Sequence, residues 1–212
     1  MQRPFCPSMT NPRIISIEGP MGAGKTSLAR QLGHALGGQI ILEAPAQNPF
    51  LCRFYQGPGA ALATELQFLM QRRAQWQQHP GNKHWIISDH SARKDEIFTP
   101  LTLDTEELRL FHALRVALDY HPAPADLMIF LEAPLPILLE RIRTRGDAYE
   151  QALTADYLER VQTAYRAWQA DYSWPCLNID SAQVDFVHNP RHTEQLIDTV
   201  RYRLKETEER DA

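Results

Sequence analysis

"EGPMGAGKTSLAR", residues Glu18 to Arg30, decides how the rest of the chain is read. The spacing Gly19-x4-Gly24-Lys25-Thr26 is that of a P-loop, provided a strand enters it and a helix leaves it. Both conditions hold in the sequence. The β-branched run Ile14, Ile15 and Ile17 precedes the turn, and Ser27-Leu-Ala-Arg-Gln-Leu continues at helical spacing. Glycines let the backbone curl until successive N–H groups point at one anionic group. The helix that starts there adds the positive end of its dipole. Lys25 can reach the terminal phosphates of a nucleoside triphosphate, and the Thr26 hydroxyl can ligate Mg²⁺. Gly19, Pro20, Met21, Gly22, Ala23, Gly24, Lys25, Thr26 and Ser27 are therefore the candidate phosphate cradle.

Outward from this turn, apolar runs and helical spacings alternate. Strands are expected at Arg13–Glu18, Gln39–Glu43, His84–Asp89, Asp126–Glu132 and Pro175–Asp180. Helices are expected near 25–36, 59–78, 103–120, 134–145, 152–171 and 191–207. The alternation predicts an α/β fold, a five-stranded parallel sheet flanked by helices. Right-handed crossovers then bring ligand sites to the carboxyl ends of the strands. Glu43 and Asp89 each close a predicted strand on that edge. A carboxylate at 43 can take a proton from a hydroxyl beside the terminal phosphate. One at 89 can order Mg²⁺ or its waters. Taken singly, each is an ordinary strand-end acid; their meeting with a phosphate loop gives them weight.

"LLERIRTRGDAYEQ", residues 138–151, places Arg141, Arg143 and Arg145 just before Gly146, a natural helix stop. Arg141 and Arg145 share a helix face, where like charges repel unless an anion lies between them. An arginine segment closing over a transferring phosphoryl group stabilises the charge of the transition state.

The composition narrows the partners. A net charge of −4 over 212 residues argues against a general nucleic-acid binder. No apolar run approaches the length of a membrane span, and the opening "MQRPFCPSMTNP" lacks the apolar centre of a secretory signal. Cys6, Cys52 and Cys176 are odd in number and far apart, which suits the cytoplasm better than a disulfide frame or a zinc site. One domain is expected over residues 13–207, with tails at 1–12 and 208–212.

The stretches "IEGPMGAGKTSLA", "LEAPAQNPFLCRFY", "LQFLMQRR", "SDHSARKDEIF", "LLERIRTRGDAYEQ", "DYLERVQTAY" and "VDFVHNP" together resemble the deoxynucleoside kinases. The resemblance runs from about Arg13 to Thr199 and is nearest to the bacterial deoxyadenosine/deoxyguanosine-kinase-like branch. It implies a P-loop kinase fold with an arginine-bearing lid, and transfer of phosphate from ATP to the 5′-hydroxyl of a deoxynucleoside. On that resemblance Glu43 is the general base, Lys25, Arg141 and Arg145 hold the phosphates, and Thr26 with Asp89 manages Mg²⁺. Tyr55 and Glu150 match positions that bind the sugar 3′-hydroxyl; Arg72 and Asp95 match positions that read the base. The segment Asp180–Val187, with Asp185 and Phe186, matches a loop that frames the donor adenine through its backbone. A homodimer built on packed helices is also implied.

Four positions depart from the better-known members of that family. Their Glu-Pro pair reads Glu43-Ala44-Pro45, and Asp147 stands where many have a third lid arginine, for which Arg143 is a candidate substitute. Their Asp/Glu-Arg-Ser motif reads Asp89-His90-Ser91, and an imidazole lacks the charge and the planar fork of the missing arginine. Seven residues before Arg72, where a base-pairing glutamine is usual, stands Glu65. An ionised glutamate offers two acceptors and no donor, which complements the paired N1–H and N2–H donors of guanine. A purine deoxynucleoside, guanine first, is the expected substrate; a Glu65 turned toward Arg72, Arg73 or water is the competing expectation. Two alternatives stay open beside it: a nucleoside monophosphate (thymidylate kinase-like) acceptor, or a catalytically silent P-loop subunit.

Overall fold

The computed structural model describes residues 12–77, 84–122 and 124–211. Cys6 and nearly all of the expected N-terminal tail lie outside the described residues. Strands β1 (Arg13–Glu18), β2 (Gln39–Ile41), β3 (Trp85–Ser88), β4 (Leu127–Glu132) and β5 (Cys176–Asp180) form one sheet in the order β2-β3-β1-β4-β5. All pairings are parallel; Ile15 faces Ile87 of β3 on one side and Leu127 of β4 on the other. The helices are α1 (Lys25–Leu36), α2 (Leu51–Gln56), α3 (Ala61–Gln77), α4 (Asp95–Thr102), α5 (Thr105–Ala117), α6 (Leu135–Arg145), α7 (Ala155–Ala170) and α8 (Pro190–Asp211). The expected five-stranded parallel sheet with flanking helices is thus the observed one.

The period-two alternation of the strands sorts the core onto two faces. Ile15, Ile17, Ile87, Leu127, Ile129 and Leu131 meet Leu28 and Leu32 of α1, Leu138 of α6, and Val200 and Leu204 of α8. On the opposite face Met128 and Phe130 lie against Trp168 of α7, and Val161 and Tyr165 of α7 meet Ile97 of α4. A satellite cluster joins Leu69, Leu62 and Leu66 of α3 to Phe111 of α5. This sandwich leaves a crevice at the carboxyl edge of the sheet. After β3 the chain crosses to the other side of β1, so the carboxyl ends of β1 and β3 flank the point where strand order reverses.

The turn after β1 sits in that crevice, and its glycines are required there. Gly24 caps α1 at φ 97°, and a Cβ on it would lie 2.9 Å from the Phe186 ring. At Gly19, φ 146°, a Cβ would run into the backbone carbonyl of Leu131. A side chain at Gly19 would force the loop off β4, and one at Gly24 would be strained at its positive φ and press on the Phe186 ring.

Several elements differ from the sequence expectation. β2 and β3 stop at Ile41 and Ser88, so Glu43 and Asp89 lie just beyond the strands instead of ending them. The segment after Glu43 contains a short 3₁₀ turn at Pro45–Gln47 and then α2. Asn48 directs this path by accepting from the Phe50 amide at 3.1 Å and donating to the Thr64 carbonyl at 3.0 Å. α4 is a further helix without sequence warning, because Pro100 inside its eight residues breaks the apparent pattern. α5 begins at a capping box formed by Asp104 and Glu107. α8 runs to Asp211, through most of the stretch expected as a C-terminal tail.

Candidate active site

The loop after β1, the ends of β2 and β3, and helices α2, α3, α4 and α7 enclose a cleft of about 420 Å³. Lys25 stands at the end formed by the glycine-rich turn. Its Nζ donates to the carbonyls of Gly19 at 2.7 Å and Pro20 at 2.9 Å. Burial, and then the neighbouring Lys94 charge, bring its pKa down to about 8. A buried ammonium at a helix N-terminus is a charge waiting for an anion.

Asp89 ties the two strand ends together. Its Oδ2 accepts from the Thr26 hydroxyl at 2.5 Å, and its Oδ1 accepts from the Glu43 amide at 2.7 Å. Burial by itself would raise its pKa; bonds from His90, Thr26 and the Glu43 backbone outweigh that and hold it at about 2. A hydroxyl and a permanently ionised carboxylate in contact are hard oxygen donors, as Mg²⁺ prefers beside phosphate oxygens and water. Among the described residues there is no cluster of three or more His, Cys, Asp or Glu that could hold a metal by itself. The donor set fits an ion brought in with a nucleotide.

Glu43 occupies the middle of the cleft. Lys94 Nζ donates to its Oε2 at 2.6 Å, and Arg72 Nη1 lies 3.9 Å from its Oε1. Burial pushes its pKa up, but the charges of Lys94, His90 and Arg72 more than offset this, so it stays below the usual carboxylate range. The carboxylate is ionised and competent to accept a proton.

The far end is built by α3, α4 and α5. Arg72 is buried, 3.8 Å from Asp95, which in turn faces Arg115 at 3.3 Å. Among the described residues, Arg72 Nε and Nη2 find no hydrogen-bond partner although both are buried. Unmet buried donors of this kind are costly and point to a group that arrives later. Glu65 lines the same wall and accepts from the Thr102 hydroxyl at 3.0 Å. Burial raises its pKa to about 7 against the lowering influence of Arg72 and Thr102. Tyr55 and Tyr157 face each other edge-on at 5.7 Å along the cleft, with Phe54, Phe68 and Phe98 beside them.

The three arginines at the end of α6 part company. Arg141 turns toward the phosphate loop, donating to Ser181 Oγ at 3.0 Å and to the Gly22 carbonyl at 3.3 Å. Arg145 points into the cleft, where it pairs with both carboxylate oxygens of Glu150 and with Asp147 at 2.8 Å. Arg143 is exposed on the far side of α6, away from the cleft, so it does not stand in for a lid arginine at Asp147.

Not every expected contact is in the cleft. His90 is fully buried behind Asp89, its Nδ1 3.2 Å from Asp89 Oδ1 and its ring edge-on to Trp76; it does not line the cleft as a substrate-binding residue would. An imidazole is too short to pass the Asp89 carboxylate. Asp95 also stays behind the wall, where it orients Arg72. Phe186 lies against Gly24, and its carbonyl accepts from Gln31 and Thr193, while the Asp185 carboxylate accepts from the amides of Val187 and His188. That loop is therefore pinned beneath the phosphate turn.

Two residues carry weight without having been picked out. Glu18 is fully buried, accepting from the Ser91 amide at 2.6 Å and the Tyr165 hydroxyl at 2.8 Å, which locks β1 to the β3 end and α7. Lys94 is the cation on Glu43. Neither has a spacing signature; alternation along β1 puts Glu18 on the face opposite Ile17, which was the available clue.

A family model for deoxynucleoside kinase matches residues 15–205. A deoxyguanosine kinase of Bacillus subtilis (strain 168) is 32% identical over 204 residues, covering 89% of this chain and 96% of the relative. A deoxyadenosine kinase of Lactobacillus acidophilus (strain ATCC 700396 / NCK56 / N2 / NCFM) is 29% identical over 210 residues, covering 92% and 97%. Among solved structures, a deoxyadenosine kinase from M. mycoides, with dCMP and a flexible dCDP bound, superposes with a TM-score of 0.76. It shares 21% identity over 89% of this chain and 98% of its own, a likeness of fold.

Proposed function

Because the chain belongs to the deoxynucleoside kinase family, we propose that it transfers the terminal phosphoryl group of ATP to the 5′-hydroxyl of a purine deoxynucleoside, guanine preferred. The hydroxyl oxygen forms the new bond to phosphorus, its proton passes to Glu43, and the bond to the β-phosphate oxygen breaks to release ADP. Lys25 and Arg141 hold the phosphates from the loop side, and Arg145 from the cleft side once it leaves Glu150. Mg²⁺, held by Thr26 and Asp89, would neutralise phosphate charge. Tyr55 and Glu150 take the sugar, and Arg72 with Glu65 takes the base. The observation that carries this reading is a single cleft joining Lys25, the ionised Glu43 and the unmet donors of Arg72.

The test is ADP release with ATP and Mg²⁺ on each of four deoxynucleosides and four deoxynucleoside monophosphates. Turnover on a deoxynucleoside is expected. Turnover on monophosphates alone would move the acceptor site, and silence on all eight would leave a nucleotide-binding subunit.

Glu65 makes base choice depend on pH. Arg72, Asp95 and Lys94 are the charges that face it, with Thr102, Tyr55 and Tyr157 also against it. Its pKa is raised, so above about 7 it is a double acceptor suited to guanine. Below that it carries a proton and offers one donor and one acceptor, which suits adenine. The ratio of kcat/KM for deoxyguanosine over deoxyadenosine should therefore climb as pH rises from 6 to 8, by roughly tenfold for one mended contact. Glu65→Gln should flatten that slope and favour deoxyadenosine; an unchanged base ranking would remove Glu65 from base recognition.

The reading includes a homodimer in the cytoplasm. Among the described residues no helix is long and apolar enough to cross a membrane. Met70 on α3 and Leu110 and Leu114 on α5 remain 45%, 40% and 45% exposed, an apolar surface suited to a second copy. Sedimentation velocity at micromolar concentration should give the dimer; a monomer there would end this part of the proposal.

A further inference from the structure

Lys94 is 7% exposed, yet it lines the cleft between Lys25 and Phe98. It sits at the N-cap of α4, with its ammonium 5.3 Å from the centre of the Phe98 ring and 2.6 Å from Glu43 Oε2. The acidic groups around it are Glu43, Glu18 and Glu65; the basic ones are Lys25 and Arg72. An ammonium has three donors, and among the described residues its hydrogen bond is the one to Glu43. The position two residues beyond Ser88, which in better-known relatives carries an arginine, is His90, and its ring is shut behind Asp89. The acceptor side of the cleft thus has no guanidinium from that motif. It has Lys94 in its place, one turn further along and reaching back.

Resting on the kinase reading, we infer that Lys94 is a cation of the transfer step: one donor aims the Glu43 carboxylate at the attacking hydroxyl, and the others meet the oxygens of the phosphoryl group in transit. The step itself is unchanged. Oxygen bonds to phosphorus, the hydroxyl proton goes to Glu43, and the electron pair of the broken bond stays on ADP. What Lys94 supplies is fixed positive charge on the side of the acceptor, where the transferring group gathers negative charge as it moves. A lysine suits the place because a compact ammonium can hold a carboxylate and a phosphoryl oxygen at once.

The test compares wild type with Lys94→Arg, Lys94→Met and Lys94→Gln, measuring kcat, KM for ATP and for the deoxynucleoside, and the melting temperature. Lys94→Met should lose about a hundredfold in kcat, the range for one preorganised donor. Both KM values should stay within about threefold, because binding to the ground state does not use the contact. Lys94→Arg should recover most of the loss because it restores the positive charge, and a purely structural side chain would instead show its loss in the melting temperature with kcat kept. Lys94→Gln keeps a hydrogen bond to Glu43 without the charge and gives the same reading if the methionine variant does not fold. A kcat within about threefold of wild type in Lys94→Gln, or a loss carried by KM alone, overturns the role of Lys94 while leaving the kinase intact. A wild-type protein without turnover overturns both.

Discussion

Glu43→Gln is expected to lower kcat by about a thousandfold, with KM values little changed, since general-base catalysis contributes roughly 10²- to 10⁴-fold. The change is nearly isosteric, so the fit of the cleft is kept while the proton acceptor is lost. The case for Glu43 rests on its surroundings. It is the cleft carboxylate held ionised by Lys94 at 2.6 Å with Arg72 nearby, and its backbone amide is fixed by Asp89 at 2.7 Å. Asp89 itself is committed to Thr26 and the Glu43 amide, and Glu65 belongs to the far wall. A glutamine there would take from Lys94 the carboxylate it is bonded to and leave it only the more distant acids, so the melting temperature should fall as well. ADP release read beside calorimetric ATP binding separates the two effects. Retention of more than a tenth of wild-type kcat would put the base elsewhere.

Lys25→Met is expected to cost roughly 10²- to 10³-fold in kcat/KM, the usual loss on removing a charge that meets the developing negative charge of a transition state. ATP binding should weaken too, because on the proposed reading this cation would contact phosphate before and during transfer. The buried ammonium stands between the Gly19 and Pro20 carbonyls, and burial has lowered its pKa to about 8. Bound phosphate would relieve that strain on the charge, so part of the binding energy of ATP is a correction to the free protein. The methionine variant removes the two bonds to the turn along with the charge. Isothermal titration with ATP, and the same turnover assay, check this; an unaltered ATP affinity would mean that the nucleotide phosphates lie away from Lys25.

The phosphate turn was legible from the sequence because all of its requirements are local. Glycine at 24 is needed for φ 97°, Lys25 and Thr26 follow directly, and the strand before and helix after are read from periodicity. The five-stranded parallel sheet was legible for a related reason: a strand buried on both faces reads as a continuous apolar run, as in "LMIFL" of β4 before the exposed Glu132. The short helices α2 and α4 were not. Each is held by contacts with distant chain, such as Asn48 to Thr64 and Arg160 to the Leu101 carbonyl, and neither has enough turns to show a period.

For the site, the sequence by itself determined which chemistry was possible: a cradle for phosphate, acids on the same edge, arginines before a helix stop. Only the tertiary structure decided where each group stands and what it touches. Lys94 and Glu43 are 51 positions apart in the chain and form one ion pair. Arg141 and Arg145 share a helix face in sequence, yet one turns to Ser181 and the other to Glu150. His90 is adjacent to Asp89 and is still shut out of the cleft. Glu65 became a titrating group near neutrality through burial against α4. The physical reason is the same in each case. Phosphate binding by a backbone turn is a property of consecutive residues, whereas the charge, direction and protonation of a side chain are set by whatever the fold packs against it.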